Sequence, residues 1–139
     1  MVLLDTNVIS ALMHPQPEPV VLDWLNRQPS GSIWTTSITL IELRYGLQIM
    51  PAGARRDRMA AALEVVLNKE LEGRLAVFDL GAAEHTASLM AARRVRGRQM
   101  DFRDTLIAGI ALANRATLAT RNISHFSDLS TPVVNPWTD

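Results

Sequence analysis

Three acidic residues stand where a chain of 139 residues has little structural use for an unpaired charge. Asp5 ends the apolar run Val2-Leu3-Leu4, Glu42 interrupts a helical face that is otherwise apolar, and Asp104 opens the uncharged stretch from Thr105 to Ala113. Carboxylates brought together from separate elements repel, and they stay ionised together only when a cation neutralises them. Oxygen ligands alone suit Mg²⁺ or Mn²⁺, and such sites serve phosphodiester chemistry. Each acid also has a plainer explanation. Asp5 suits a helix N-cap, although Thr6 and Asn7 can each take that role and leave its carboxylate free. Glu42 has Ile38, Thr39, Tyr45 and Gly46 at three and four residues, so no cation on its own helix pairs with it. Asp101 or Asp104 can cap the helix that follows, with Arg98 and Arg103 as the expected partners of Asp101.

These acids need elements to hold them, and the chain supplies alternating strands and helices. Met1–Leu4, Ser32–Thr36, Leu75–Phe78, Thr117–Thr120 and Thr131–Val134 read as short strands. Helices are predicted to Leu12, from Pro19 to about Arg27, from Ser37 or Thr39 to about Met50, over 55–71, from Ala82 to about Arg96, and over 104–114. Gly73 and Gly97 mark helix ends. This alternation predicts one three-layer α/β/α domain over residues 1–139 with a parallel sheet of four to five strands. Open parallel sheets bind ligands beyond the carboxyl ends of their strands, where Asp5 and Thr120-Arg121-Asn122 fall.

Composition limits the alternatives. Apolar residues make up 47% and charged residues 20%, an ordinary globular balance. No apolar run approaches the ~18 residues of a membrane span, and the N-terminal residues lack the pattern of a signal peptide. Absence of cysteine disfavours zinc and disulfide chemistry and fits a cytoplasmic setting. Net charge is zero, which argues against strong non-specific binding to nucleic acid. Thirteen of the fourteen basic residues are nonetheless Arg, and Arg93, Arg94, Arg96, Arg98 and Arg103 fall within eleven positions. They read either as a solvated helix end or as a basic rim beside the acids. Asn122 is a turn residue that can also offer an amide oxygen, and His125 reads as a surface or capping histidine. Trp24, Trp34 and Trp137 read as core or interface aromatics.

Several segments together resemble the PIN domain, and within it the VapC-type toxins of type II toxin–antitoxin pairs, close to the FitB subgroup. They are Leu3-Leu4-Asp5-Thr6-Asn7-Val8-Ile9-Ser10, Ile41-Glu42-Leu43-Arg44-Tyr45-Gly46, Asp104-Thr105-Leu106-Ile107-Ala108-Gly109, Ala119-Thr120-Arg121-Asn122 with Phe126, and Val134-Asn135-Pro136-Trp137. The resemblance implies an endoribonuclease dependent on Mg²⁺ or Mn²⁺, with Asp5, Glu42 and Asp104 as the acidic site. In that reading Asp5 and Asp104 ligate the ion, Glu42 holds or deprotonates the attacking water, and Thr6, Asn7, Thr120 and Asn122 support them. Arg94, Arg96 and Arg98 are candidate RNA contacts on charge placement alone. The resemblance further implies a homodimer and an encoded antitoxin of the VapB or FitA kind, through which operator DNA is reached. A fourth acid is frequent in the family at the position of Asn122 or three residues later, where this chain has His125. That departure leaves open one metal or two. It also keeps alive a catalytically weak module that acts by pairing with its antitoxin. A haloacid-dehalogenase-like phosphatase is disfavoured, because Asn7 stands where its second Asp belongs and Lys69 is the only lysine.

Overall fold

The computed structural model describes residues 1–139. Five strands form one parallel sheet: β1 (Val2–Leu4), β2 (Ile33–Thr36), β3 (Leu75–Ala76), β4 (Thr117–Ala119) and β5 (Val133–Val134). Their order is β3-β2-β1-β4-β5. From central β1 the chain steps outward through β2 to β3, then crosses back to β4 and β5. The strand order therefore reverses between β1 and β4, and a crevice opens there at their carboxyl ends. Leu4 pairs with Thr35 on one side and Ala119 on the other, so Asp5 and Thr120 are level across the crevice.

Six helices cover the sheet: α1 (Thr6–Met13), α2 (Pro19–Asn26), α3 (Ser37–Ile49), α4 (Ala54–Val65), α5 (Leu80–Val95) and α6 (Phe102–Ala113). Successive strand residues point to opposite faces, which divides the core. Leu3 and Leu118 face a cluster with Ala82 and Leu89 of α5 and Ile107 and Ile110 of α6. Leu4 and Ala119 face another with Val8 and Ile9 of α1, Trp24 of α2 and Leu63 of α4. The domain is thus the expected α/β/α sandwich. No helix is long and apolar enough to cross a membrane.

Element ends differ from the pattern-based expectation for local reasons. β3 stops at Ala76 and β5 begins only at Val133, because these edge strands pair on one side alone. Helix α5 starts at Leu80, two residues early, since the Asp79 carboxylate caps the Ala82 N–H at 3.0 Å. Helix α6 starts at Phe102 because Asp101 caps it. The helix expected over 55–71 is α-helical only to Val65 and continues as a π turn over Val66–Glu70. Gly73 and Gly97 adopt φ of 73° and 69°, the left-handed geometry expected after a helix. Trp24 is buried in the second cluster, while Trp34 and Trp137 are partly buried against the first and second.

Candidate active site

Asp5 is the first residue past β1, and its backbone N–H donates to the Ala119 carbonyl at 2.9 Å. Only 4% of it is exposed. One carboxylate oxygen, Oδ1, accepts the Thr6 N–H at 2.8 Å and caps α1. Of the three N-cap candidates Asp5, Thr6 and Asn7, capping falls to Asp5 itself. The other oxygen, Oδ2, accepts the Thr120 hydroxyl at 2.7 Å and the Asn7 amide at 3.3 Å. The Thr120 hydroxyl in turn accepts the Asn7 amide at 3.3 Å and the Asn122 N–H at 3.1 Å. One donor and two acceptor positions saturate that hydroxyl, so its orientation is fixed. Asn122 joins through its backbone; its side-chain amide makes no bond here. Asn7 completes the strand-end network by accepting the Arg121 N–H at 3.1 Å.

Glu42 approaches from α3, with its side chain 20% exposed. Its Oε1 accepts the Thr6 hydroxyl at 3.2 Å, and that hydroxyl also meets the Thr39 hydroxyl at 3.1 Å. Arg103 reaches its Oε2 at 3.9 Å, a loose contact from an exposed guanidinium. Asp104 comes from the first turn of α6, where Asp101 Oδ1 accepts its N–H at 3.1 Å. The cap is thus Asp101, which also meets Arg103 at 3.8 Å, whereas its other expected partner Arg98 bonds elsewhere. Asp104 Oδ2 lies 2.9 Å from His125 Nδ1. His125 is exposed, as expected of a surface histidine, and it also meets an acid of the site.

The acids influence one another. Burial raises the pKa of Asp5; hydrogen bonds from Thr120 and Thr6 oppose this, and the charge of Asp104 adds to it. Burial likewise raises Glu42, opposed by Thr6 and Arg103, with smaller upward pushes from Asp5 and Asp104. Carboxylates from a strand end, α3 and α6 thus share one crevice. Their side chains do not form a set of three that encloses a single point as a chelate.

The arginine cluster divides. Arg93 is 3% exposed and makes a bidentate pair with Asp128, at 2.8 and 2.9 Å. It also donates to the Thr105 hydroxyl at 2.9 Å and the His125 carbonyl at 3.2 Å. Arg93 therefore fastens α5 to the residue after Asp104 and to the backbone of the histidine that meets Asp104. Spacing contained the signal: Ala82, Thr86, Leu89 and Arg93 repeat at helical intervals on one buried face. Arg96 leans on Asp128 at 3.6 Å, and Arg98 donates to the Ser124 carbonyl and the Ser127 hydroxyl. Of the three expected RNA contacts, only Arg94 is without a protein partner. It lines a cavity of about 270 Å³ with Arg98 and Phe102.

An open parallel sheet with carboxylates gathered at its switch point defines a recognisable class of α/β/α domain. Residues 2–130 match the PIN domain family. Over 137 residues the chain is 39% identical to the VapC ribonuclease Y4jK of Sinorhizobium fredii, covering 99% of this chain and 98% of that protein. It is 32% identical to the toxin FitB of Neisseria gonorrhoeae over the full length of both. The solved structure of FitAB bound to an IR36 DNA fragment superposes with a TM-score of 0.88 at 30% identity, covering 100% of this chain and 97% of that one. This chain belongs to the PIN domain family, in the branch that holds the VapC and FitB proteins.

Proposed function

We propose that the protein is a metal-dependent endoribonuclease and the toxin of a type II toxin–antitoxin pair. The observation that carries this reading is the meeting of Asp5, Glu42 and Asp104 at the switch point of the sheet, with Asp5 buried and its pKa raised. The donor set suits Mg²⁺, with Mn²⁺ as a substitute, because every ligand is oxygen and the negative charges are mutually repelling. Asp5 and Asp104 would hold the ion. When bound, it supplies charge neutralisation and Lewis acidity at the scissile phosphate.

The chain's own residues do the rest. Thr120 and Asn7 fix the Asp5 carboxylate, so it presents a defined edge to the crevice. Glu42, its pKa raised by burial, takes the proton of the attacking water. Thr6 orients Glu42 by donating to it. Asn122 and His125 stand where the family frequently has a fourth acid, so one ion is the economical number.

The complexes of related toxins with antitoxins and DNA support a partner of the same kind. Here it is a small DNA-binding antitoxin, encoded alongside, that covers the acidic crevice and carries a toxin homodimer to operator DNA. The decisive experiment is cleavage of RNA by the purified chain. Mg²⁺-dependent cleavage should fall at least about 10²-fold in Asp5→Asn, which keeps the cap but loses the charge. Equal behaviour of wild type and variant would end the catalytic reading. The Asp104–His125 contact favours a second one, since it partly occupies an acid the ion needs. In that reading the chain lacks nuclease activity and acts only through its antitoxin complex.

A further inference from the structure

Beside the acids, on the α1 side of the crevice, lies a separate polar cavity of about 330 Å³. Its walls include Asn7, Ser10 and His14 of α1 and its end, Glu18, Arg121 and Trp137. Arg121 is exposed and enters no ion pair, yet its guanidinium is held in place. It lies over the Trp137 ring, 4.7 Å from the centroid. Trp137 is itself anchored: its indole N–H donates to Glu18 at 3.1 Å, and its backbone N–H to Asn135 Oδ1 at 2.9 Å. Backbone bonding ties the stack to the reaction centre, because Asn7 bonds both the Asp5 carboxylate and the Arg121 N–H.

A cation held over an aromatic ring has already lost much of its rotamer freedom, so binding costs less. The exposed guanidinium carries donors matched to a phosphate, and arginine planes stack on nucleic-acid bases. Glu18 is the one carboxylate on this wall, and one of its oxygens is committed to the indole N–H. The arginines on the opposite side are worse placed: Arg96 and Arg98 already bond to protein, and only Arg94 is unengaged.

We infer that Arg121, stacked on Trp137, forms the subsite for the nucleotide next to the scissile phosphate in single-stranded RNA. This rests on the ribonuclease reading for its substrate class, and it assigns the side of the crevice along which the strand runs. The test uses the full chain carrying Asp5→Asn, so the RNA stays intact, and a short fluorescent single-stranded RNA of mixed sequence. Arg121→Ala should weaken binding about tenfold, the scale of one lost stacking partner. The log–log salt slope should fall by about 0.7, one phosphate contact in a single strand. Arg121→Lys should keep that slope while losing part of the affinity, since charge survives and the planar stack does not. With Asp5 restored, Arg121→Ala should raise KM with little change in kcat. Arg94→Ala should change RNA binding less than Arg121→Ala does.

Unchanged RNA affinity and slope in Arg121→Ala, with the fold intact by melting temperature, overturns the inference. So does an effect confined to the antitoxin complex, which would make the stack a protein contact. A structural role alone would lower the melting temperature and affect Arg121→Lys and Arg121→Ala alike in both RNA measurements. Failure of metal-dependent cleavage with a clear Arg121 effect on binding would remove the nuclease reading and leave the subsite.

Discussion

At the residue scale, Asp5 is both a structural cap and a chemical liability. One oxygen ends a helix, while burial makes the charge expensive when no cation is present. Its pKa is raised in the native state, so its stabilising contribution is full below the unfolded value and is lost as pH rises through the native one. Glu42 acts with the same sign. The metal-free Asp5→Asn protein should therefore melt higher than wild type at neutral pH, by roughly 3–5 °C for each kcal/mol relieved. That gain should vanish below about pH 3.8, the ordinary value for Asp, where both proteins carry a neutral side chain. Melting curves across pH decide this, and an Asp5→Asn protein of lower stability at neutral pH would mean that the carboxylate is compensated without an ion. Millimolar Mg²⁺ should raise the wild-type melting temperature, since saturation at about 100 times Kd contributes about 2.7 kcal/mol. Asp104→Asn should lose most of that increment.

At the scale of elements, the site depends on how α5 holds α6. Two features do this, one polar and one steric. The Arg93–Asp128 pair is almost fully enclosed, with side chains 3% and 2% exposed. Replacing Arg93 by Met leaves the buried carboxylate only the looser contact with exposed Arg96, at a cost of up to about 3–5 kcal/mol. Asp128 has its pKa lowered, chiefly by the Arg93 hydrogen bond, so its contribution is present above the unfolded value and lost as pH falls through the native one. The Arg93→Met deficit should therefore shrink in acid, as the Asp5→Asn gain does although its sign is opposite, and urea titrations at several pH values will show it. Further along, a Cβ on Gly109 would collide with the Thr86 hydroxyl and lie 2.9 Å from the Ala82 carbonyl. Gly109→Ala should cost about 1–3 kcal/mol by forcing the helices apart. Thr86→Ala should recover part of this, because the Thr86 hydroxyl is buried without a partner. The acids and the helices that carry them were legible as charges interrupting apolar runs. The fastening was not, because Asp128 lies 35 residues from Arg93 and nothing local marks the pair. His125 was hidden for the same reason, since its meeting with Asp104 depends on where Arg93 holds its carbonyl. The π turn after Val65 left no trace in an apolar pattern that reads as continuous helix.

At the scale of the whole molecule, polar and apolar surfaces are divided among different tasks. The acidic crevice sits between an engaged arginine side and the Arg121–Trp137 stack, so a strand of RNA bound as proposed would run between unlike walls. Away from the acidic crevice, α3 carries Ile41, Tyr45 and Ile49 at intervals of four residues, and they are 62%, 60% and 65% exposed. A stripe of large apolar side chains on one helical face is costly to leave in water and is the expected core of an interface. Glu42 is on the same helix, turned toward the crevice and bonded by Thr6. A second copy seated on α3 would thus stiffen the helix that carries the proposed base, coupling assembly to activity. Tyr45→Arg places a charge at the centre of the stripe without touching any site bond. If the proposed homodimer uses this face, light scattering should show the variant at the mass of one chain, about 15.4 kDa, with its fold retained. Cleavage by that monomer should also decline, because α3 has lost its support. A Tyr45→Arg protein that remains dimeric moves the interface elsewhere.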